Sequence, residues 1–320
     1  GNFRYNSDDV TTNFTAPLGT GSYAIYREQP TLTIAADSPS AITYGSALPP
    51  LTATVTGQQN GDTFAQIFST QATITVGGAT SSSGNLVAGN HLLTPAGAVE
   101  ELGYALNYAT GTLAINQRTL TGTAVAAVST TYGTPAATGA VSLNGVISGD
   151  SVTSTASLVG PTYSTSGNLS AGSYAQSAGS LGGADAGNYT LTAYTTPTNN
   201  YSVGQLALTG ATIAASGSTY GSALNPGAVT FGNVIAGDVV TSTAGVNTST
   251  LSSSGNPIVG NYTQTAGAIG GTDAANYSFG GYTTPTANYA INSAALTVSS
   301  IGAVSTTYGT PAATGAVSLN

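Results

Sequence analysis

The chain has 320 residues, and only 4% of them are charged, against roughly 25% in an ordinary soluble domain. Its bases are Arg4, Arg27 and Arg118 alone, and the net charge of −8 reflects that scarcity; binding to nucleic acid or to an anionic membrane surface, which needs clustered Lys or Arg, is excluded. Cys is absent, so there is neither a disulfide framework nor thiol chemistry, and no run approaches the ~20 apolar residues of a transmembrane helix, so the chain is not expected to be embedded in a membrane.

In chain order, residues 1–30 read as the end of a preceding unit, with GSYAIYREQPTLTI at 21–34 as its closing strand and the start of the next. The first residue is Gly and no signal peptide is visible, so the chain is expected to be an excerpt of a longer protein. Residues 31–35 (TLTIA), 51–56 (LTATVT) and 71–76 (QATITV) alternate apolar and polar positions and favour β-branched types, which predicts half-buried strands. Ser38-Pro39-Ser40, Gly57, Gly61-Asp62, Gly77-Gly78 and Ser83-Gly84-Asn85 punctuate them as turns. No segment sustains a helical period. With 43 Gly, disorder is the competing expectation, and the β-branched content and regular Tyr positions oppose it.

The pattern then repeats. Tyr-Gly stands at Tyr44, Tyr132, Tyr220 and Tyr308, each step being 88 residues. Gly-Asp follows each of the first three by 18 residues, at Asp62, Asp150 and Asp238, and a marker Leu precedes, at Leu32, Leu120, Leu208 and Leu296. Three markers in one frame establish tandem repeats over 31–118, 119–206 and 207–294, with 295–320 the start of a further one. Residues 303–320 copy 127–144 letter for letter, two periods apart, so two versions of the repeat alternate. The expected fold is all-β: about seven short strands per period form a small immunoglobulin-like antiparallel sandwich. The junctions, such as Leu113 to Leu120, contain no hinge, so the sandwiches are expected to form an extended rod that grows by about 35 Å per period.

Asp185-Ala186-Gly187-Asn188-Tyr189 and Asp273-Ala274-Ala275-Asn276-Tyr277 both read D-x-[GA]-x-Y, and Glu100 to Tyr104 is a looser version. In immunoglobulin-like sandwiches this spacing marks a tyrosine corner, whose phenol bonds a backbone group upstream. Asp185, Tyr189, Asp273 and Tyr277 are therefore candidate structural residues.

Residues 31–118 resemble the MBG repeat of large bacterial surface adhesins, through LTIAADSPSAITYGSALPPLTATVTG, Gly61-Asp62-Thr63 and NYATGTLAI at 107–115. Residues 119–294 are similar to the related YDG-type repeat, through the Tyr-Gly, Gly-Asp and DAGNYTL signatures. The resemblance implies a stalk in filamentous-haemagglutinin-like adhesins of the two-partner secretion route. It also implies an extracellular place on the bacterial cell surface, and it carries no catalytic residues.

The residues themselves offer no enzyme. His91 is the single histidine, and the sister repeats place Tyr174 and Tyr262 near its equivalent, which reads as structural. The acids are mostly singletons and are expected to cap their own turns rather than to bind calcium, which takes 6–8 oxygen ligands; no metal or cofactor is expected. Asn13, Asn168, Asn188, Asn200, Asn247, Asn261 and Asn276 stand in glycosylation sequons, and Tyr163, aligned with Leu251, is a candidate sugar-stacking residue. Two functional readings follow. One is a stalk that holds an adhesive tip, itself outside this stretch and bearing the partner, an extracellular polysaccharide or host surface. The other is a matrix fibre or carbohydrate-binding module of a biofilm, in which rods associate laterally because almost no charge guards their sheet edges.

Overall fold

Strands form where alternation and β-branched residues foretell them. In the computed structural model, which describes residues 2–320, Thr31–Ala36, Ala53–Thr56 and Thr73–Val76 are strands, and each alternates inward and outward positions. Helix is confined among the described residues to one turn, Phe64–Ile67, and two 3₁₀ turns, Ala186–Asn188 and Ala274–Asn276. The fold is all-β.

The hairpins are antiparallel, as expected: Thr73–Val76 with Gly89–Ala96, Thr153–Leu158 with Gln176–Gly182, and Thr241–Val246 with Gln264–Gly270. The opening strand of each repeat adds parallel pairs, so the sheets are mixed. In the first repeat Thr31–Ala36 runs parallel to Ala105–Ala109. The chain then breaks at Ser38-Pro39-Ser40, where Pro has no N–H to give a ladder, and Ile42–Thr43 runs parallel to Gly111–Asn116 in a different sheet. One opening segment thus serves two sheets. The later repeats make the same kinds of pair, Arg118–Thr121 with Tyr189–Thr192 and Ser216–Thr219 with Tyr289–Asn292.

Beside the sequence periods 31–118, 119–206 and 207–294, the chain divides into two compact units. One compact unit holds the chain to Ala127 with Thr138–Val159 and Ala175–Asn200; a second holds Val128–Ala137, Gly160–Tyr174 and Tyr201–Asn320. The middle period is divided between them. Within the first unit, the main apolar cluster joins Tyr44, Leu93, Leu113 and Ile115 of the first repeat to Leu120 and Tyr189 of the second. A separate cluster joins Leu32, Ile67, Leu102 and Tyr104 to Tyr5. The first repeat is therefore buried against both of its neighbours in sequence, the nearest-neighbour stabilisation of repeat proteins.

The junction between the first two repeats is one residue long. Gly111–Asn116 ends, Gln117 intervenes, and Arg118–Val125 begins. Gln117 Nε2 donates to the Gly187 carbonyl at 2.8 Å and Arg118 Nε to Gly145 at 3.0 Å. In the second unit Gln205 repeats the first of these bonds, on Ala275, at 3.0 Å.

Candidate functional site

The marker residues converge at the joint between one repeat and the next. In the first unit Tyr44, fully buried, donates its phenol hydrogen to Asp150 Oδ2 at 2.6 Å. Tyr189 donates to the same oxygen at 2.5 Å and accepts the Ile147 N–H at 3.0 Å. The two rings meet edge to face, with centroids 5.3 Å apart, a favoured aromatic geometry. The other oxygen, Asp150 Oδ1, accepts the Ser83 N–H at 3.1 Å. Ser83 lies in the tight loop Ser81–Asn85, which also sets Ser81 Oγ 2.5 Å from the Tyr44 hydroxyl.

The second unit builds the same joint. Tyr132 and Tyr277 donate to Asp238 Oδ2 at 2.5 and 2.6 Å, Ser166 N–H reaches Oδ1 at 3.2 Å, and the Tyr277 hydroxyl accepts the Ile235 N–H. Residues 1–30 supply a third version: Tyr5 and Tyr104 both donate to Asp62 Oδ2 at 2.8 Å. Each Asp therefore takes the tyrosine of its own D-x-x-x-Y segment, or of its Glu100–Tyr104 counterpart, together with a tyrosine from the preceding repeat. Tyr44, although 18 residues before Asp62, is bonded to Asp150 instead. Tyr308, the fourth marker, is fully exposed.

Asp185 and Asp273 were expected to cap their own turns, and neither makes a side-chain cap to its 3₁₀ turn. They tie loops of two repeats together. Asp185 Oδ2 accepts Ser151 N–H at 2.7 Å and its Oδ1 accepts Ser82 N–H at 3.0 Å; Asp273 accepts from Val239 N–H at 2.8 Å and Thr165 N–H at 3.0 Å. Asn188 and Asn276 finish the contact, their side-chain oxygens accepting Ala88 and Ala171 N–H at 2.8 Å each. A short loop with outward N–H groups thus meets two carboxylates and an amide. Both sequon asparagines in this motif are buried by these bonds.

The glycines of Tyr-Gly and Gly-Asp have packing reasons. A side chain at Gly45 (φ +80°) would fall on the Ile147 side chain, as one at Gly133 would on Ile235. At Gly149 (φ +97°) a Cβ would stand 3.3 Å from the Ser83 backbone, and at Gly237 as close to the Ser166 side chain. The motif is thus a knob and a carboxylate, Ile-x-Gly-Asp, seated on Tyr-Gly and a serine loop.

Electrostatics agree with the geometry. Burial first, then the bond to a carboxylate, raises Tyr44, Tyr132, Tyr189 and Tyr277 above the usual phenol value. For Asp150 burial pushes upward, yet the bonds from Ser83, Tyr189, Tyr44 and Ser81 outweigh it and hold the carboxyl at about 2. Asp238 is lowered by the same balance. Asp185 is lowered by the backbone N–H of Ser151 first, and Asp273 by the Thr165 hydroxyl first.

Sequence reasoning passed over Gln176 and Gln264, both with no exposed surface. Gln176 accepts Gly139 N–H at 2.7 Å and donates to Ala126 O at 3.0 Å and Asn200 Oδ1 at 2.9 Å. Gln264 does the same with Gly227, Ala214 and Asn288. Their offset of 88 was the available signal. His91 holds the carbonyl of Val87 at 2.7 Å, as Tyr174 holds Ser170 and Tyr262 holds Ile258, each four residues upstream. Tyr163 lies exposed on the hairpin bridge to Leu169. Among the described residues no group of three or more His, Asp or Glu could hold a metal ion.

A match to a known family covers the first repeat. Residues 32–114 match the family model described as MBG domain (YGX type). The matched segment contains Tyr44-Gly45, Asp62 and the serine loop that receives Asp150 and Asp185. A search of curated proteins finds no match. Among solved structures, the crystal structure of Drosophila N-cadherin EC1-4 aligns at 10% identity and a TM-score of 0.28, over 85% of this chain and 78% of that one. No helix among the described residues is long and apolar enough to cross a membrane.

Proposed function

We propose that the chain is a stalk segment of a bacterial cell-surface or secreted adhesin, and that its job is to space an adhesive tip from the cell. The observation that carries this reading is the joint: Tyr44 of the MBG repeat and Asp150 of the next repeat are bonded within one shared core. A module that buries its own face against its successor transmits load along the chain, and the side chains it holds in fixed positions serve packing. The two-partner secretion context and the extracellular location come from the resemblance to MBG and YDG repeats. On this reading the chain is a spacer and no enzyme. Small-angle scattering of the whole chain tests it: a maximum dimension that grows in proportion as repeats are added supports a stalk, and a compact globule of constant shape refutes it.

A second reading, lateral self-association, is favoured by one feature of the MBG repeat. Ala53–Thr56 and Thr73–Val76 are the outermost strands of their sheets, and neither contains a charge or Pro that would guard it. A cleft of about 540 Å³ lies between them, with Phe64 and Phe68 among its walls. Sedimentation across a range of concentrations distinguishes the two readings, since a pure spacer stays monomeric.

A further inference from the structure

The second compact unit contains the receiving half of a joint on which no counterpart is seated among the described residues. Tyr220 repeats Tyr44 and Tyr132, and the loop Ser252–Asn256 repeats Ser81–Asn85 and Ser164–Asn168. The loop is closed by the same bonds, Ser252 N–H to Asn256 O at 2.8 Å and Gly255 N–H to Ser252 O at 2.9 Å; the two preceding loops measure 2.8 and 2.9 Å, then 2.9 and 3.0 Å. Ser252 Oγ accepts from the Tyr220 hydroxyl at 2.8 Å, so phenol and loop are held in register. Ser253, Ser254 and Val259 stand where Ser82, Ser83 and Ala88 give their N–H groups to Asp185, Asp150 and Asn188.

This surface differs from its two counterparts in exposure. Tyr220 is half-buried where Tyr44 and Tyr132 are fully buried, and Ser254 is exposed where Ser83 and Ser166 are half-buried. A side chain built at Gly221 would meet open space, whereas those at Gly45 and Gly133 would meet Ile147 and Ile235. Around it Leu251, Ile258 and Val259 are exposed, the last two by 38% and 49%. Apolar area, oriented N–H donors and a phenol donor are gathered without a positive charge.

We propose that Tyr220, Gly221 and the Ser252–Asn256 loop form a docking socket for the Ile-x-Gly-Asp and Asp-x-x-Asn-Tyr loops of a further repeat. The occupant is fixed by two worked examples in the same molecule: Ile147, Asp150, Asp185 and Asn188 seat on the Tyr44 socket, and Ile235, Asp238, Asp273 and Asn276 seat on the Tyr132 socket. A second copy of this chain is a poor occupant, because both of its own sets of such loops are already engaged. The inference rests on the stalk reading and adds the rule by which a stalk is lengthened: each repeat presents one socket to its successor, and recognition is by carboxylate and amide rather than by opposite charge.

The test lengthens the whole chain after Asn320 with a copy of residues 145–206, which continues the sequence in register because 303–320 equals 127–144. Hydrogen exchange is read at Ser253, Ser254 and Val259 in the original and the lengthened chain. The expected result is slowing by about tenfold or more at all three amides in the lengthened chain. Replacing the appended counterpart of Asp150 by Ala should return Ser254 toward its original rate, and replacing the counterpart of Asp185 should do so for Ser253. Unchanged exchange overturns the proposal, whether the appended repeat folds apart from the socket or stays unfolded. Concentration-dependent slowing in the original chain also overturns it, by giving the socket to a second copy. The stalk reading fails separately, through scattering that does not lengthen as repeats are added.

Discussion

Tyr44 and Asp150 lie 106 residues apart and share a 2.6 Å hydrogen bond, whereas the Asp that follows Tyr44 by 18 residues, Asp62, is bonded to Tyr5 and Tyr104. The pairing predicts which residues are coupled. In urea denaturation, Tyr44→Phe and Asp150→Asn should each cost about 1–3 kcal/mol, the range for losing a bond to a charged group or leaving its partner unsatisfied. The double variant should cost clearly less than the sum. Tyr44→Phe with Asp62→Asn should be additive within about 0.5 kcal/mol. Coupling to Asp62 in place of Asp150 would mean that the joint is assigned to the wrong repeat.

Acid should loosen the joint late. Asp150 titrates at about 2 in the folded chain, and the unfolded reference is about 3.9. A depressed folded value contributes stability that is fully present above about pH 4 and is lost as the pH falls toward 2. Asp238 is displaced in the same direction. Removing the donors with Tyr44→Phe and Tyr189→Phe should raise the folded pKa of Asp150 and flatten this part of the stability profile. Thermal melts at pH 2, 3, 4 and 6 measure it; a profile equally steep in the variant would mean that the tyrosines do not hold the carboxylate.

The period, the strands and the marker residues were legible because they are written in the order of residue types. Strand alternation at 31–36 and 73–76 follows from burial of one sheet face, which the sequence records directly. Which tyrosine meets which carboxylate was not legible. A repeat of 88 residues fixes spacings only to within a whole period, so a separation of 18 along the chain is indistinguishable from one of 106. The shared core was hidden for the same reason: Leu113 and Leu120 look like the ends of two modules and are buried in one cluster. Gln176 was hidden by type, since a polar residue with no exposed surface is uncommon and is recognised only by its partners.

Gln176 should be intolerant of change. It is buried completely and satisfies Gly139 N–H, Ala126 O and the Asn200 side chain. Gln176→Leu keeps the volume but strands these groups, and should destabilise by about 3 kcal/mol or more, at about 1–3 for each group left unsatisfied. Gln264→Leu should match it, because its partners are the repeated ones. Half-buried Gln58, whose side chain donates to the nearby Val55 carbonyl, is the control and should change stability by less than about 0.5 kcal/mol.

Gly45 and Gly221 separate the strain of the turn from the fit of the knob. Both have positive φ, +80° and +84°, so Ala at either position carries the left-handed penalty of about 1–2 kcal/mol. Only at Gly45 would the new methyl also collide with Ile147; at Gly221 it would meet nothing within 4 Å. Gly45→Ala should therefore be the more destabilising in the 320-residue chain, by about 1–3 kcal/mol, the usual cost of overpacking. Ile147→Val, which trims the offending methyl, should recover part of the difference when combined with Gly45→Ala and should cost stability when made alone. Equal losses at Gly45 and Gly221 would show that Tyr-Gly recurs for its turn alone. A larger loss at Gly45, relieved by Ile147→Val, would show that the glycine is kept open for the isoleucine of the next repeat.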